Sequence, residues 1–175
     1  MSKKWMLVMV LLVVLTVSGF AFEKGTKSLG GAISLRSFDD DLISYTSLSL
    51  YPSFSYFVID NLSLELSPEF GTFWVKDSDN NYSFGLGLGA RYFINTFYGG
   101  ARINLYKSGK KGDWMSGKEL TLSAGRLFGI AKNIYLDLGL RYEIGLGKIT
   151  HTGYSSENNN QKILTAQAGI AIYFK

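Results

Sequence analysis

The chain has no cysteine, two prolines and one histidine in 175 residues. Without thiols there are no disulfides and no thiolate chemistry, and a single imidazole rules out a zinc centre of Cys/His type. Charge is also scarce. Asp, Glu, Lys and Arg make up 18% of the chain, where a soluble domain usually carries about a quarter. The formal net charge is +4, and two of those cations, Lys3 and Lys4, lie in a leader expected to be removed. The remaining 16 cations and 14 anions give +2, which is not the basic footprint of a nucleic-acid binder.

Glycine (20), tyrosine (11) and phenylalanine (12) are abundant, a composition that favours strands and turns over helices. The length suits one domain or one closed barrel. The first 21 residues, "MSKKWMLVMVLLVVLTVSGFA", have a different composition. Two lysines precede an apolar run from Trp5 to Val17, followed by small residues at Gly19 and Ala21. This pattern predicts a secretory signal cut after Ala21. The run is too short for a spanning helix, which needs about 20 apolar residues. The expected partition is therefore residues 1–21 as signal and 22–175 as the folded unit.

After Phe22 apolar residues recur with a period of two, the strand signature. Eight strands are expected: Ser28–Phe38, Tyr45–Phe57, Leu62–Trp74, Tyr82–Ile94, Phe97–Lys107, Lys118–Phe128, Ile134–Lys148 and Ile163–Phe174. Most exceed the usual soluble strand of about 5–6 residues and match the roughly 9–11 that a tilted strand needs to cross a bilayer. Connections alternate in length. "DDDLIS", "KDSDNN", "KSGKKGDWMSG" and "THTGYSSENNNQ" are long, whereas "VIDN", "NT" and "GIAKN" are tight turns. An even strand number with short turns at one rim and longer loops at the other predicts an all-β, eight-stranded, antiparallel up-and-down transmembrane barrel.

The placement of charge predicts which face is outside. Lysines fall in the leader, near the mature N-terminus, in loops or at strand ends. Arg36, Arg91, Arg102 and Arg141 instead sit mid-strand, on the face that carries Ser, Gly, Thr and Asn. Glu65, Glu69, Glu119, Asp137 and Glu143 share their parity. Such a balanced set suits a narrow lumen in which charges pair, because an Arg facing lipid at the midplane costs about 2–4 kcal/mol. Gly85, Gly87 and Gly89 are expected to leave lumen space beside Arg91. The opposite parity, with Leu86, Leu88, Leu138 and Ile170, is the expected lipid face. Tyr56, Tyr92, Phe97, Phe128 and Phe174 are expected to form an aromatic girdle at the short-turn rim; Tyr45, Phe73, Trp74, Tyr82 and Tyr106 would form the other. Arg126 falls on lipid parity, which implies snorkelling or a bulge. Pro52 and Pro68 each remove a ladder hydrogen bond and imply local bulges.

The segment "SLYPSFSYFVIDNLSLELSPEFG" resembles the strand–turn–strand hairpin of bacterial outer-membrane barrels, and "AGIAIYFK" resembles their C-terminal strand. Residues 28–174 thus resemble the small eight-stranded barrels of the OmpX and OmpA transmembrane-domain type. The resemblance implies a bacterial outer-membrane location, periplasmic termini, extracellular longer loops and recognition of the last strand by the barrel-assembly machinery. Lys175 after Phe174 departs from the family's terminal aromatic. Outer-membrane lipids are the expected partners, with no nucleic acid, no cofactor and a monomeric state.

Chemistry-bearing motifs are few. His151 stands in "THTGYSSEN" near Ser155, Ser156 and Glu157, the residue types of a hydrolytic triad, but in no triad spacing. "GDWMSGKE" matches part of a phosphate loop, but with Glu119 where Ser or Thr is required and no helix following, it reads as a chance match. Asp39, Asp40 and Asp41 form an acidic run that reads as a solvated loop, with calcium binding the lesser alternative. Lys107, Lys110, Lys111 and Trp114 in the third connection read as a solvated loop, with contact to anionic headgroups or surface ligands the lesser alternative. The leading expectation is a non-enzymatic barrel with a filled lumen, serving envelope integrity or adhesion. A narrow channel and a lipid-modifying enzyme using His151 are the alternatives.

Overall fold

The computed structural model describes residues 22–39, 44–75, 80–110, 112–151, 157–159 and 161–175. Its strands are β1 (Lys27–Asp39), β2 (Ser44–Ile59), β3 (Leu62–Val75), β4 (Asn81–Ile94) and β5 (Phe97–Lys110), then β6 (Asp113–Ala131), β7 (Ile134–His151), β8 (Glu157–Asn158) and β9 (Lys162–Phe174). Every pairing is antiparallel, and β1–β9, β7–β9 and β6–β7 close the sheet on itself. Eight long strands form the wall. The two-residue β8 only edges β7 at Lys148 and Ile149. The predicted leader lies outside the described residues.

Three short turns set one rim. Asn61, Asn95 and Asn133 adopt φ of 63°, 58° and 65°, and Asn tolerates this left-handed backbone better than most residues with a Cβ. Neighbouring turns and strand ends are stitched together by Phe93 N–H to Asn61 O at 2.8 Å, Leu127 N–H to Thr96 O at 2.7 Å and Tyr173 N–H to Asn133 O at 2.9 Å.

The register fixes the stagger of the cylinder. From Ile33 the pairs lead through Leu50 to Phe70. The other way round they pass Ala168, Leu138, Arg126 and Phe97 to Ile94, two residues beyond the Tyr92–Leu62 pair, hence opposite position 60. The mismatch between 70 and 60 is ten residues, which for eight strands corresponds to a tilt of about 40°.

Hydrophobicity is turned inside out. Among the described residues thirty large hydrophobic side chains are exposed and seven hydrophobic residues are buried. Leu35, Leu88 and Leu164 are 70%, 62% and 67% exposed, whereas Ser67, Asn104 and Thr121 are at most 2% exposed. A water-soluble domain has the reverse arrangement.

The prolines do not make bulges. β2 and β3 pair at Leu50–Phe70 and again at Phe54–Leu66 without a change of register. Pro52 and Pro68 therefore face each other across the interruption, so both missing donors fall in one gap of the ladder. Ser67 Oγ–H donates to Pro52 O there at 2.9 Å. Real shifts occur at Phe57/Ile59, Ser116/Lys118 and Gly129/Ala131. The third connection is also shorter than expected, because β5 runs to Lys110 and β6 starts at Asp113. Most of "KSGKKGDWMSG" is a hairpin extension rather than a loop.

Candidate functional site

The lumen is built in three layers. Nearest the short turns, Phe57, Phe93, Tyr98, Leu127 and Tyr173 point inward and are buried. Phe22 enters this ring from the N-terminal segment, stacking on Phe57 at 5.1 Å between ring centroids and meeting Phe93 edge-on at 5.0 Å. Its backbone is pinned twice: Phe22 N–H donates to Asn61 Oδ1 at 3.1 Å, and Asn61 N–H donates to Phe22 O at 2.8 Å. Lys24 N–H to Asp60 Oδ1 at 2.8 Å and the Lys175–Glu23 ion pair extend the attachment. Stacked and edge-on aromatic pairs add to plain apolar burial, so this layer is a stopper made by the chain's own N-terminal residues.

The middle layer is an alternating series of charges. Asp137 accepts from Arg91 at 3.2 Å, and Arg91 also pairs with Glu65. Arg102 reaches Glu65 at 3.2 Å and Glu69 at 2.7 Å. Arg141 reaches Glu69 at 3.1 Å and Glu143 at 3.2 Å. Aromatic and amide groups complete the network. Tyr98 O–H donates to Asp137 Oδ1 at 2.6 Å, and the Arg141 guanidinium lies 4.0 Å from the Tyr51 ring centroid. Buried charges survive only when paired and hydrogen-bonded, and here Glu65 and Glu69 each lie between two guanidiniums while Asp137 lies between Arg91 and the Tyr98 hydroxyl. The cavity within this layer is about 40 Å³, the scale of one or two waters.

Glycine provides the room. A Cβ at Gly89 would stand 2.7 Å from Arg102 Cβ, and one at Gly87 would collide with the Arg102 side chain. The arginine accommodated by this glycine run is thus Arg102; Arg91 is accommodated by Gly100, where a Cβ would lie 2.8 Å from Arg91 Cγ.

Above the ion pairs the lumen widens to a cavity of about 540 Å³ towards the long-loop end. Tyr51, Glu69, Phe73, Tyr106, Glu119 and His151 are among its lining residues. Glu119 accepts from Asn104 Nδ2 at 2.8 Å, and Asn104 also donates to Thr121 Oγ1 at 2.8 Å. Asn159 folds inward from the last connection, 4% exposed, donating to Tyr106 Oη at 3.2 Å and to Lys118 O at 3.1 Å.

The sequence-derived residues fall as follows. Glu65, Glu69, Arg91, Arg102, Asp137, Arg141 and Glu143 form the ion-pair series, and Glu119 stands beside it as an amide-bonded carboxylate. Arg36 keeps lumen parity opposite Ser47, and its side chain lies outside the described residues. Tyr56, Tyr92, Phe97, Phe128 and Phe174 are exposed on the outer wall at the short-turn end; Trp74 and Tyr82 are exposed at the other. Two expectations are corrected. Tyr106 and Phe73 face the lumen, not the girdle, because Tyr106 shares the parity of Arg102 on β5 and Phe73 that of Glu65 and Glu69 on β3. Arg126 sits in unbroken register between Phe97 and Leu138, so no bulge turns it. Its guanidinium lies 4.8 and 4.9 Å from the ring centroids of Phe97 and Phe128.

His151 ends β7 opposite Met115; among the described residues no serine or carboxylate is bonded to its side chain. Ser155, Ser156, Asp40, Asp41 and Lys111 lie outside the described residues. "GDWMSGKE" is strand from Asp113 onward, so it cannot wrap a phosphate. The residues that sequence reasoning missed are Phe22 and Asn159. Both lie outside the alternating pattern, and no local signal marks them.

No family model and no curated sequence matches the chain. Solved structures match in shape. Neisserial surface protein A superposes with a TM-score of 0.58 at 20% identity, covering 89% of this chain and 100% of that one. OprG of Pseudomonas aeruginosa gives 0.59 at 15%, covering 87% and 97%. The N-terminal barrel domain of OprF from the same organism gives 0.56 at 15%, covering 87% and 100%. At these identities the likeness is one of fold. The chain has the fold of the small eight-stranded outer-membrane β-barrels.

Proposed function

We propose that this chain is a bacterial outer-membrane protein that spans the bilayer as a barrel with a plugged lumen, holding its long-loop end outside the cell. The carrying observation is the inversion of hydrophobicity: an apolar outer wall around an interior of paired charges. In water that wall would be a continuous exposed patch far beyond the few hundred Å² tolerated by soluble monomers. In lipid it is matched to its solvent. The predicted leader supports export, and both described chain ends lie at the short-turn rim, where Lys27 pairs with Phe174. That rim is then periplasmic, and β9 is the strand offered to the assembly machinery.

The role that best suits a closed cylinder is non-enzymatic and monomeric, contributing to envelope integrity or adhesion through its outer loops. The channel reading has one observation in its favour, the 540 Å³ cavity. Against it stand the ion-pair layer and the aromatic stopper beneath. Fractionation with heat-modifiability on a gel tests the location: the protein should sediment with outer membranes and migrate differently when boiled. Planar-bilayer recording tests the plug. Silence is expected, and steady openings altered by Arg102→Ala would favour the channel.

A further inference from the structure

The outer wall carries an asymmetry that apolar burial does not explain. Lys107 on β5, Lys118 on β6 and Lys162 on β9 are exposed and share outward parity with Leu105, Leu120 and Leu164. Among the described residues none has a carboxylate partner. The outward faces of β2, β3 and β4 carry no charge along their described lengths.

The stagger shows that the three lysines lie at one level. A level line around this barrel descends ten residues in eight strands, about 1.25 per strand, towards the short turns. Lys107 pairs with Ser116, while Lys162 pairs with Ile144, itself opposite Leu120. On the β6 scale the lysines therefore stand at 116, 118 and 120. A level line through Lys107 passes about 116, 117 and 120. All three agree within about one residue, or 3 Å.

The level is a boundary. Lys107 is ten residues from Phe97 on β5, and Lys118 is ten residues from Phe128 on β6. At about 3.3 Å per residue and a 40° tilt, ten residues rise about 25 Å, the height of the apolar band of such barrels. Trp114 completes the patch, with Lys107 Nζ 5.4 Å from its ring centroid and the Phe84 ring stacked on it at 5.5 Å.

We propose that Lys107, Lys118, Lys162 and Trp114 form a docking site for the anionic phosphate headgroups of lipid in the leaflet nearest the long loops. The proposal rests on the membrane reading above and adds a lipid class and a side of the barrel to it. Three ammonium groups spread over about 15 Å of circumference attract phosphate at the depth where headgroups lie, and the indole sits at the same interface.

The test uses Trp114 as reporter in the full barrel carrying Trp74→Phe, refolded into phosphatidylcholine vesicles. Brominated phosphatidic acid is compared with brominated phosphatidylcholine at equal mole fraction. The expected result is at least about tenfold preferential quenching by the anionic lipid, falling severalfold in Lys107→Gln/Lys118→Gln/Lys162→Gln while heat-modifiability is retained. Equal quenching by both lipids, or a preference that survives the triple variant, overturns the site and leaves insertion standing. No quenching by either lipid overturns the membrane reading as well.

Discussion

Phe22 stacks on Tyr173 with ring centroids 4.4 Å apart and 27° between their planes, joining the first described residue to the last strand. The contact closes the short-turn mouth with a ring that belongs to no strand. Phe22→Ala is expected to cost about 3 kcal/mol, in the range for a buried Phe, measured by urea unfolding in vesicles. Phe97→Ala, at the same end but on the outer wall, should cost about 1 kcal/mol or less. Equal losses would mean that the stopper contributes no packing.

Glu65 holds two guanidiniums, Arg91 and Arg102. Glu65→Gln leaves both without their shared anion, and removing one partner of a buried pair costs about 3–5 kcal/mol. Glu119→Gln retains an oxygen able to accept from Asn104 and should cost less than about 1 kcal/mol. The difference between the two variants in urea midpoint is the readout. Similar midpoints would show that the ion-pair series does not support the barrel.

Arg126 lies against the Phe97 and Phe128 rings at the edge of the apolar band. Arg126→Leu should therefore change stability by no more than about 1 kcal/mol, the scale of the cation–π contacts it loses. Leu122→Arg, four residues nearer mid-band, should cost about 2–4 kcal/mol. If both arginines were tolerated equally, depth would not be what the outer wall senses.

Gly89 and Gly99 both lie on strands, and a Cβ meets opposite surroundings at each. At Gly89 it would sit 2.8 Å from Arg102 Cα, whereas at Gly99 nothing stands within 4 Å. Gly89→Ala is expected to cost about 1–3 kcal/mol, as overpacking does, and Gly99→Ala should be near neutral. Folding yield into detergent micelles and thermal midpoint would separate them.

Much of this architecture was legible because alternation is local. Each strand announces itself by period two, and Arg91, Arg102 and Arg141 announce the inner face by their small neighbours. The predicted start of β3 at Leu62, end of β4 at Ile94 and start of β5 at Phe97 coincide with the structure. Tyr106 was misplaced because an aromatic near a strand end suits either face of the wall, and only its parity with Arg102 sets it inward. Pro52 and Pro68 could be explained only once register set them opposite each other. Phe22, Asn159 and the common level of Lys107, Lys118 and Lys162 depend on closure of the cylinder, which joins residues far apart in sequence.

The membrane barrel stands or falls on the direction in which its two faces point. The absence of native cysteine allows single spin labels at Leu88 and Leu138 on the outer wall, and at Ser49 and Ser83 lining the upper cavity. In vesicles the first pair should collide with oxygen and be shielded from a water-soluble nickel complex; the second pair should meet the nickel complex. Nickel access at Leu88 and Leu138 equal to that at Ser49 and Ser83 would contradict the account.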